Sequence, residues 1–334
     1  MPKRTGEGRV KTNVLLTSAG RRVALLRAFQ DELKARYAGG QVFCADFRPE
    51  LSPACRASDA SYAVPRVDDP SYIDSLLQIC IDNHVGVVVP TIDPELHVLS
   101  ANRERFSENG IQVVVSEPEF VTICRDKRKT AQFLQRCGIN TPEIYPVSDL
   151  RFPCFAKPYD GSCSADTYFL PDEGAVTTEI LNHPTMMFME YRDLAHHDEV
   201  TIDLYYDRLS QLRCIVPRLR LEVRSGEVCK ATTREDPYLE ELCGAMTEIP
   251  GARGCLTLQV FVEHDEGRVF GIEINPRFGG GFPLTYRAGG NFPGWLLDEY
   301  LCGQDVPYFE AWERDLLMLR YDDEVMIHDF RASE

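Results

Sequence analysis

The feature that most restricts what this chain can become lies near its C-terminal end. Residues 256–262 and 269–275 are two alternating apolar stretches joined by the polar turn His264-Asp265-Glu266-Gly267-Arg268. Such a pair predicts a β-hairpin. Folded about Glu266, it places Gln259 directly opposite Glu273 on one face. In the second strand Ile272 and Ile274 share one face, and Glu273 and Asn275 the other. Pro276 ends the ladder because it has no N–H to donate. Arg277 and Gly279-Gly280-Gly281 follow as an irregular segment in which backbone can approach a ligand closely. A carboxylate and an amide oxygen two residues apart on one strand face can share a hard cation, and an arginine just beyond can hold an anion beside it. An ordinary hairpin with a polar outer face would show the same alternation.

The rest of the chain supplies the context. With 334 residues, 44% of them hydrophobic, it can bury a sizeable core in two or three subdomains. Its longest apolar runs, such as residues 85–89, are too short to span a membrane. Residues 1–6 lack an apolar h-region and read as a disordered tail rather than a signal peptide, which implies the cytoplasm. The twelve cysteines include no Cys-x-x-Cys pair, so buried reduced thiols explain them better than disulfides or zinc. A formal charge of −16 argues against nucleic-acid backbones and acidic membranes as partners. ATP is not excluded, since magnesium and a few lysines set the local sign.

Between residues 13 and 115, strands at 13–20, 41–46, 85–90 and 111–115 alternate with helices at 21–35, 74–83 and 95–108. That alternation predicts a doubly wound parallel sheet. The first strand–helix turn has one glycine, so a dinucleotide site built on it and Asp46 is not expected. Asp93 and Glu95 follow the third of these strands, where such sheets place ligands. The alternative is that Asp93 caps the next helix.

Beyond residue 116, a helix at 121–137 carries Lys127, and Gly138 ends it. The strand 154–158 carries Lys157 ahead of a small polar loop, residues 159–166. Such a loop can fold over phosphates. Residues 186–191 form an apolar strand running into Glu190 and Tyr191. Residues 198–205 alternate, with Glu199, Thr201 and Asp203 on one face. The strand 213–224 is basic, with Arg218 and Arg220 sharing a face either as an anion site or paired with nearby carboxylates. Residues 286–301 continue into a helix, and 315–321 form a last strand.

A helix lysine, a strand lysine with a small-residue loop, a strand-ending Glu, a Glu-x-x-x-Asp strand and a Gln…Glu-x-Asn-Pro-Arg hairpin occur in that order. In this the chain resembles the ATP-grasp superfamily, and in particular one synthetase unit of the carbamoyl phosphate synthetase large subunit. Nearly all of the chain after residue 12 follows the plan. The resemblance implies an α/β protein in which an N-terminal doubly wound, pre-ATP-grasp domain precedes a two-lobed α+β ATP-grasp fold. The divisions are a tail at 1–11, the Rossmann-like domain at 12–116, the small lobe with its linker helix at 117–190, and the large lobe with the metal hairpin at 191–334.

Residue by residue, the resemblance implies nucleotide-phosphate contacts from Lys127 and Lys157, with Asp160, Gly161 and Ser162 in the loop that closes over them. Glu190 and Tyr191 would meet the adenine edge, and Glu199 the ribose hydroxyls. Gln259, Glu273 and Asn275 would hold magnesium, with manganese as an alternative. Arg277 would stabilise the transferred phosphate or a substrate carboxylate, and Arg220 and Lys230 would be substrate-side cations. Two departures matter. The loop has one glycine where the family often has three or more, and one synthetase unit leaves no second site to receive carbamate.

Residue chemistry and resemblance together lead to an ATP-dependent ligase joining a small-molecule carboxylate to an amine, with no nucleic-acid or membrane partner. Homodimerisation is a family-level expectation. A kinase-like member that stops after phosphoryl transfer, a nucleotide-binding module without turnover, and a Rossmann-type oxidoreductase are the alternatives.

Overall fold

The computed structural model describes residues 11–161, 165–224 and 226–331. The predicted tail at 1–6 lies outside them. The chain forms two compact units, one comprising residues up to Val114 together with 293–305 and 320–331, the other residues 115–292 and 306–319. Residues 117–292 and 306–319 lie in the second unit, while 293–305 and 320–331, expected in the large lobe, group with the first.

The first unit is a parallel five-stranded sheet: β1 (Asn13–Thr17), β2 (Val42–Asp46), β3 (Ala60–Ala63), β4 (Val85–Pro90) and β5 (Gln112–Val113), in the order β3-β2-β1-β4-β5. β3 escapes the sequence reading because Ala-Ser-Tyr-Ala has no β-branched residue and lies at the sheet edge. Val14, Leu15, Leu16, Val87 and Val88 are fully buried, which is what two helix-covered faces demand of a parallel sheet. Helices α1 (Val23–Arg36), α2 (Tyr72–Asp82) and α3 (Asp93–Ala101) belong to this unit.

Asp46 does not wait for a ribose: its carboxylate accepts the Gly20 N–H at 3.0 Å and braces the first turn. The expected Asp93 cap is corrected as well. Asp93 is already helical, and the fully buried Glu95 reaches back to accept the N–H groups of Thr91 (2.8 Å) and Ile92 (3.2 Å). Ser18 and Tyr72 donate to its other oxygen.

The second unit holds two antiparallel sheets. The smaller, in the order β6-β9-β7-β8, consists of β6 (Ile144–Tyr145), β7 (Cys154–Pro158), β8 (Tyr168–Leu170) and β9 (Met186–Glu190). The larger, in the order β14-β13-β10-β11-β12-β15, consists of β10 (His197–Tyr206), β11 (Leu212–Arg224), β12 (Glu227–Thr233), β13 (Gly254–Glu263), β14 (Val269–Asn275) and β15 (Leu317–Leu319). On one face of the larger sheet Ile202, Leu204, Leu258, Val260 and Ile274 form a core with Leu134, Leu239 and Leu242. The opposite face carries a continuous row. Arg218, Thr201, Gln259 and Glu273 are successive cross-strand partners from β11 to β14, about 4.8 Å apart per strand.

The Gln259–Glu273 pairing is the one the hairpin predicts. The facing of Ile272 is not. Val260 pairs with Gly271, so Ile272 has no opposite partner and forms a bulge. Ile274 stays in the core while Ile272 lines a cavity.

Candidate active site

The predicted helix at 121–137 is two helices, 118–125 and α4 (Lys127–Arg136), separated at Asp126. Asp126 is extended, and its carboxylate caps α4 by accepting the Arg128 N–H at 3.0 Å. The break makes Lys127 the first helical residue. Its N–H donates to the Tyr159 carbonyl at 2.9 Å and its Nζ to the Gly161 carbonyl at 2.6 Å, tying α4 to the loop after β7. The same Nζ stands 3.6 Å from Glu273 Oε2. Lys127 thus bridges the small-sheet loop and the hairpin.

Lys157 sits on β7 opposite Met187 of β9. Burial pushes its ammonium down to about 8, with Lys127 acting in the same sense and Glu273 and Glu199 opposing. Lys127 and Lys157, with Ile144, Met187, Met189 and Ile272, line a narrow cavity. The cavity encloses about 10 Å³, so a flat heterocycle joined to an anionic tail would enter it only by widening the space between the apolar walls and the two ammonium groups. The sequence reading misses Met187, Met189 and Ile272. The first two were findable as the alternate positions of β9 that share a face with Lys157; Ile272 was hidden by the bulge.

On β14, Asn275 Nδ2 lies 3.0 Å from Glu273 Oε1. Burial pushes the Glu273 carboxyl up, but Lys127, Lys157, Asn275 and Arg277 outweigh it, and the group is held below its ordinary value. One carboxylate with two amides, Asn275 beside it and Gln259 across the ladder, is a hard-oxygen set. It suits a magnesium ion that keeps most of its coordination for water and phosphate. Among the described residues no cluster of three or more His, Cys, Asp or Glu side chains could hold a metal.

The remaining candidates are placed as follows. Glu199 is ion-paired with Arg220, and burial, opposed chiefly by Arg220, raises its carboxyl. Lys230 is exposed on β12 and pairs with Glu222 of β11. Arg218 is buried in a bidentate pair with Asp203 at 2.9 and 3.0 Å, so the basic strand divides into carboxylate-paired arginines. The Glu190 carboxylate is engaged by Arg192 at 2.6 Å and the Glu143 N–H at 3.3 Å, and the Tyr191 ring leans on Phe169. Asp160 and Gly161 lie in the turn after β7, and Ser162 lies outside the described residues. Arg277 follows β14, donating to the Phe278 carbonyl at 3.3 Å. Lys127, Lys157, Glu273 and Asn275 therefore form one cluster, with Gln259 and Glu199 on the adjoining strands.

Residues 14–114 match the family described as PylC-like, N-terminal domain. Residues 182–323 match the family described as ATP-grasp in the biosynthetic pathway with Ter operon. A carbamoyl-phosphate synthase of Methanobrevibacter smithii is 23% identical over 236 residues, covering 65% of this chain and 64% of that one. The chain thus spans just under two thirds of that relative. Among solved structures, the biotin carboxylase domain of Hydrogenobacter thermophilus 2-oxoglutarate carboxylase, in complex with MgADP and bicarbonate, has a TM-score of 0.71 at 14% identity, covering 93% of this chain and 74% of that one. An L-amino acid ligase from Bacillus licheniformis has a TM-score of 0.67 at 17% identity over 88% of this chain and 75% of the other. N5-carboxyaminoimidazole synthetase from Staphylococcus aureus, complexed with ADP, has 0.66 at 13% over 88% and 78%. At these identities the structural likeness is one of fold.

Proposed function

From the match of residues 182–323 to an ATP-grasp family we propose that this chain is an ATP-dependent ligase. It activates a small-molecule carboxylate as an acyl phosphate, releasing ADP, and passes the acyl group to an amine. The observation that carries this reading is the Lys127–Glu273 approach of 3.6 Å beside the slot that Lys127 and Lys157 share. A cation from α4, another from the small sheet and a carboxylate–amide pair from the hairpin meet beside an apolar recess.

In this reading the slot takes the adenine and the two lysines take the phosphates. Glu273 and Asn275, with Gln259 opposite, would hold magnesium, which supplies charge neutralisation on the phosphate chain. The Asn275 amide then turns its oxygen outward. Lys127 exchanges its contact with Glu273 for phosphate, and Glu199 exchanges Arg220 for the ribose hydroxyls. Arg277 neutralises the incoming carboxylate so that two anions can be brought in line. No protein nucleophile is required. An L-amino acid ligase and an N5-carboxyaminoimidazole synthetase complexed with ADP share the fold, which is compatible with the class.

The test is to incubate the protein with ATP, magnesium, hydroxylamine and pools of carboxylates. Hydroxamate together with ADP is expected. A stable phosphorylated product without hydroxamate would favour a kinase-like enzyme, and no ADP in any mixture would reject turnover. Glu273→Ala should lower ADP release by at least about a hundredfold, with the circular-dichroism spectrum retained; undiminished release in that variant would refute the metal assignment.

A further inference from the structure

Beneath the segment that carries Arg277 lies a buried polar network that the proposed reaction does not use. At its centre is Asp203 of β10, fully buried. Its carboxylate accepts four hydrogen bonds: two from Arg218, one from Thr257 Oγ1 at 3.1 Å and one from Thr285 Oγ1 at 2.6 Å. Each donor also touches the segment between β14 and the short helix α5 (Phe282–Arg287). Thr257 Oγ1 lies 3.3 Å from the Arg277 carbonyl, so its single proton is shared between Asp203 and the backbone of Arg277. Thr285 belongs to α5 itself. Arg218 Nη1, buried and with no hydrogen-bond partner among the described residues, lies under Gly281, where a Cβ would come within 2.1 Å of it.

This geometry also explains two of the three glycines. Gly281 has φ −86°, which any residue adopts, so glycine there answers to space and not to backbone conformation. A Cβ at Gly279 would lie 2.9 Å from Thr257 Oγ1. The segment is bare of side chains where it rests on the network. Residues 277–285 are thus held at the Arg277 carbonyl, at Gly281 and at Thr285, and all three holds converge on one carboxylate.

We infer that Asp203 is a positioning residue for Arg277, acting through Thr257, Thr285 and Arg218 to fix the segment that presents the guanidinium to substrate. The inference rests on the ligase reading for its kinetic consequence and on the packing alone for its structural one. A buried carboxylate with four donors is stiff, because giving up any one leaves a desolvated group unpaired. The stiffness is passed to Arg277 through its own carbonyl.

Thr257→Val removes the shared hydroxyl at nearly constant volume and leaves the Asp203–Arg218 pair intact. With MgATP and an accepted carboxylate, kcat for ADP release should fall roughly 10- to 100-fold, while KM for MgATP stays within about twofold and Thr257→Ser restores the rate. In an Arg277→Ala background Thr257→Val should cause no further loss. Gly281→Ala, which presses a methyl group onto Arg218, should reproduce the kcat loss by an independent route. Hydrogen exchange should quicken over residues 277–284 in Thr257→Val and remain unchanged in β10 and β14. Wild-type kcat in Thr257→Val, or an equal additional loss in the Arg277→Ala background, overturns the inference. If the wild-type protein releases no ADP with any carboxylate, the ligase reading falls. The exchange experiment then decides the positioning role, and unaltered exchange over 277–284 overturns it.

Discussion

Lys157 faces two demands that conflict until a ligand arrives. It is held in a half-buried position that favours the neutral amine, and the reading above requires it to meet phosphate as a cation. With its pKa at about 8 in the free protein, an arriving triphosphate raises it and draws in a proton. Nucleotide binding measured near pH 8 should therefore be accompanied by uptake of a proton. Affinity should weaken as pH rises above 8, by at most about tenfold per unit from this residue. Titration calorimetry in two buffers of different ionisation enthalpy reads the uptake directly. Equal heats in both buffers would show that Lys157 is already protonated in the free site. The chemistry of this residue was legible in the sequence only as a strand lysine before a small-residue loop. Its depressed pKa was not, because that comes from burial and from Lys127 of α4, which the fold and not the sequence brings beside it. Lys230 teaches the converse: its charge was visible, but its side chain is spent on Glu222.

At the scale of elements, the hairpin arithmetic placed Gln259 across from Glu273 because two short alternating strands joined by a tight turn leave few registers open. The bulge at Ile272 escaped the same arithmetic, since an extra residue on one strand leaves the sequence pattern of period two unchanged. Gly271, beside it, is where β14 meets α4: a Cβ there would lie 2.5 Å from Leu134 Cδ1. Gly271→Ala should cost about 1–3 kcal/mol of stability by overpacking. The double variant Gly271→Ala/Leu134→Ala should recover part of what the two single changes lose, and urea midpoints of the four proteins test this. Simple additivity would mean that the two residues do not share the space. The break at Asp126 was likewise readable in principle, as an N-cap residue two before Arg128. A continuous apolar pattern through the preceding helix concealed it.

For the whole molecule, the class of fold was accessible early because alternation of strands and helices survives errors at every boundary. The identity of the substrates was not accessible, because a few side chains in a recess decide it. The net charge of −16 acts at this scale too. An anionic nucleotide approaching an acidic protein is repelled at long range and attracted only near the lysines. Its association rate should therefore rise as salt is added up to about 0.15 M, where the Debye length shrinks to about 8 Å. Stopped-flow mixing with a fluorescent ATP analogue measures this; a falling rate would show that the local lysine field extends past the surrounding carboxylates. Among the described residues no helix is long and apolar enough to cross a membrane.

The threading of the chain has a consequence for its fragments. The first unit is completed by residues 293–305, where Asp298 closes an ion pair with Arg36 at 2.7 Å and Leu301 stands where a side chain on Gly86 would need to be. Arg36 and Asp298 stand 262 residues apart in sequence, so a fragment ending near residue 114 would lack the helix that packs against Gly86 of its own sheet.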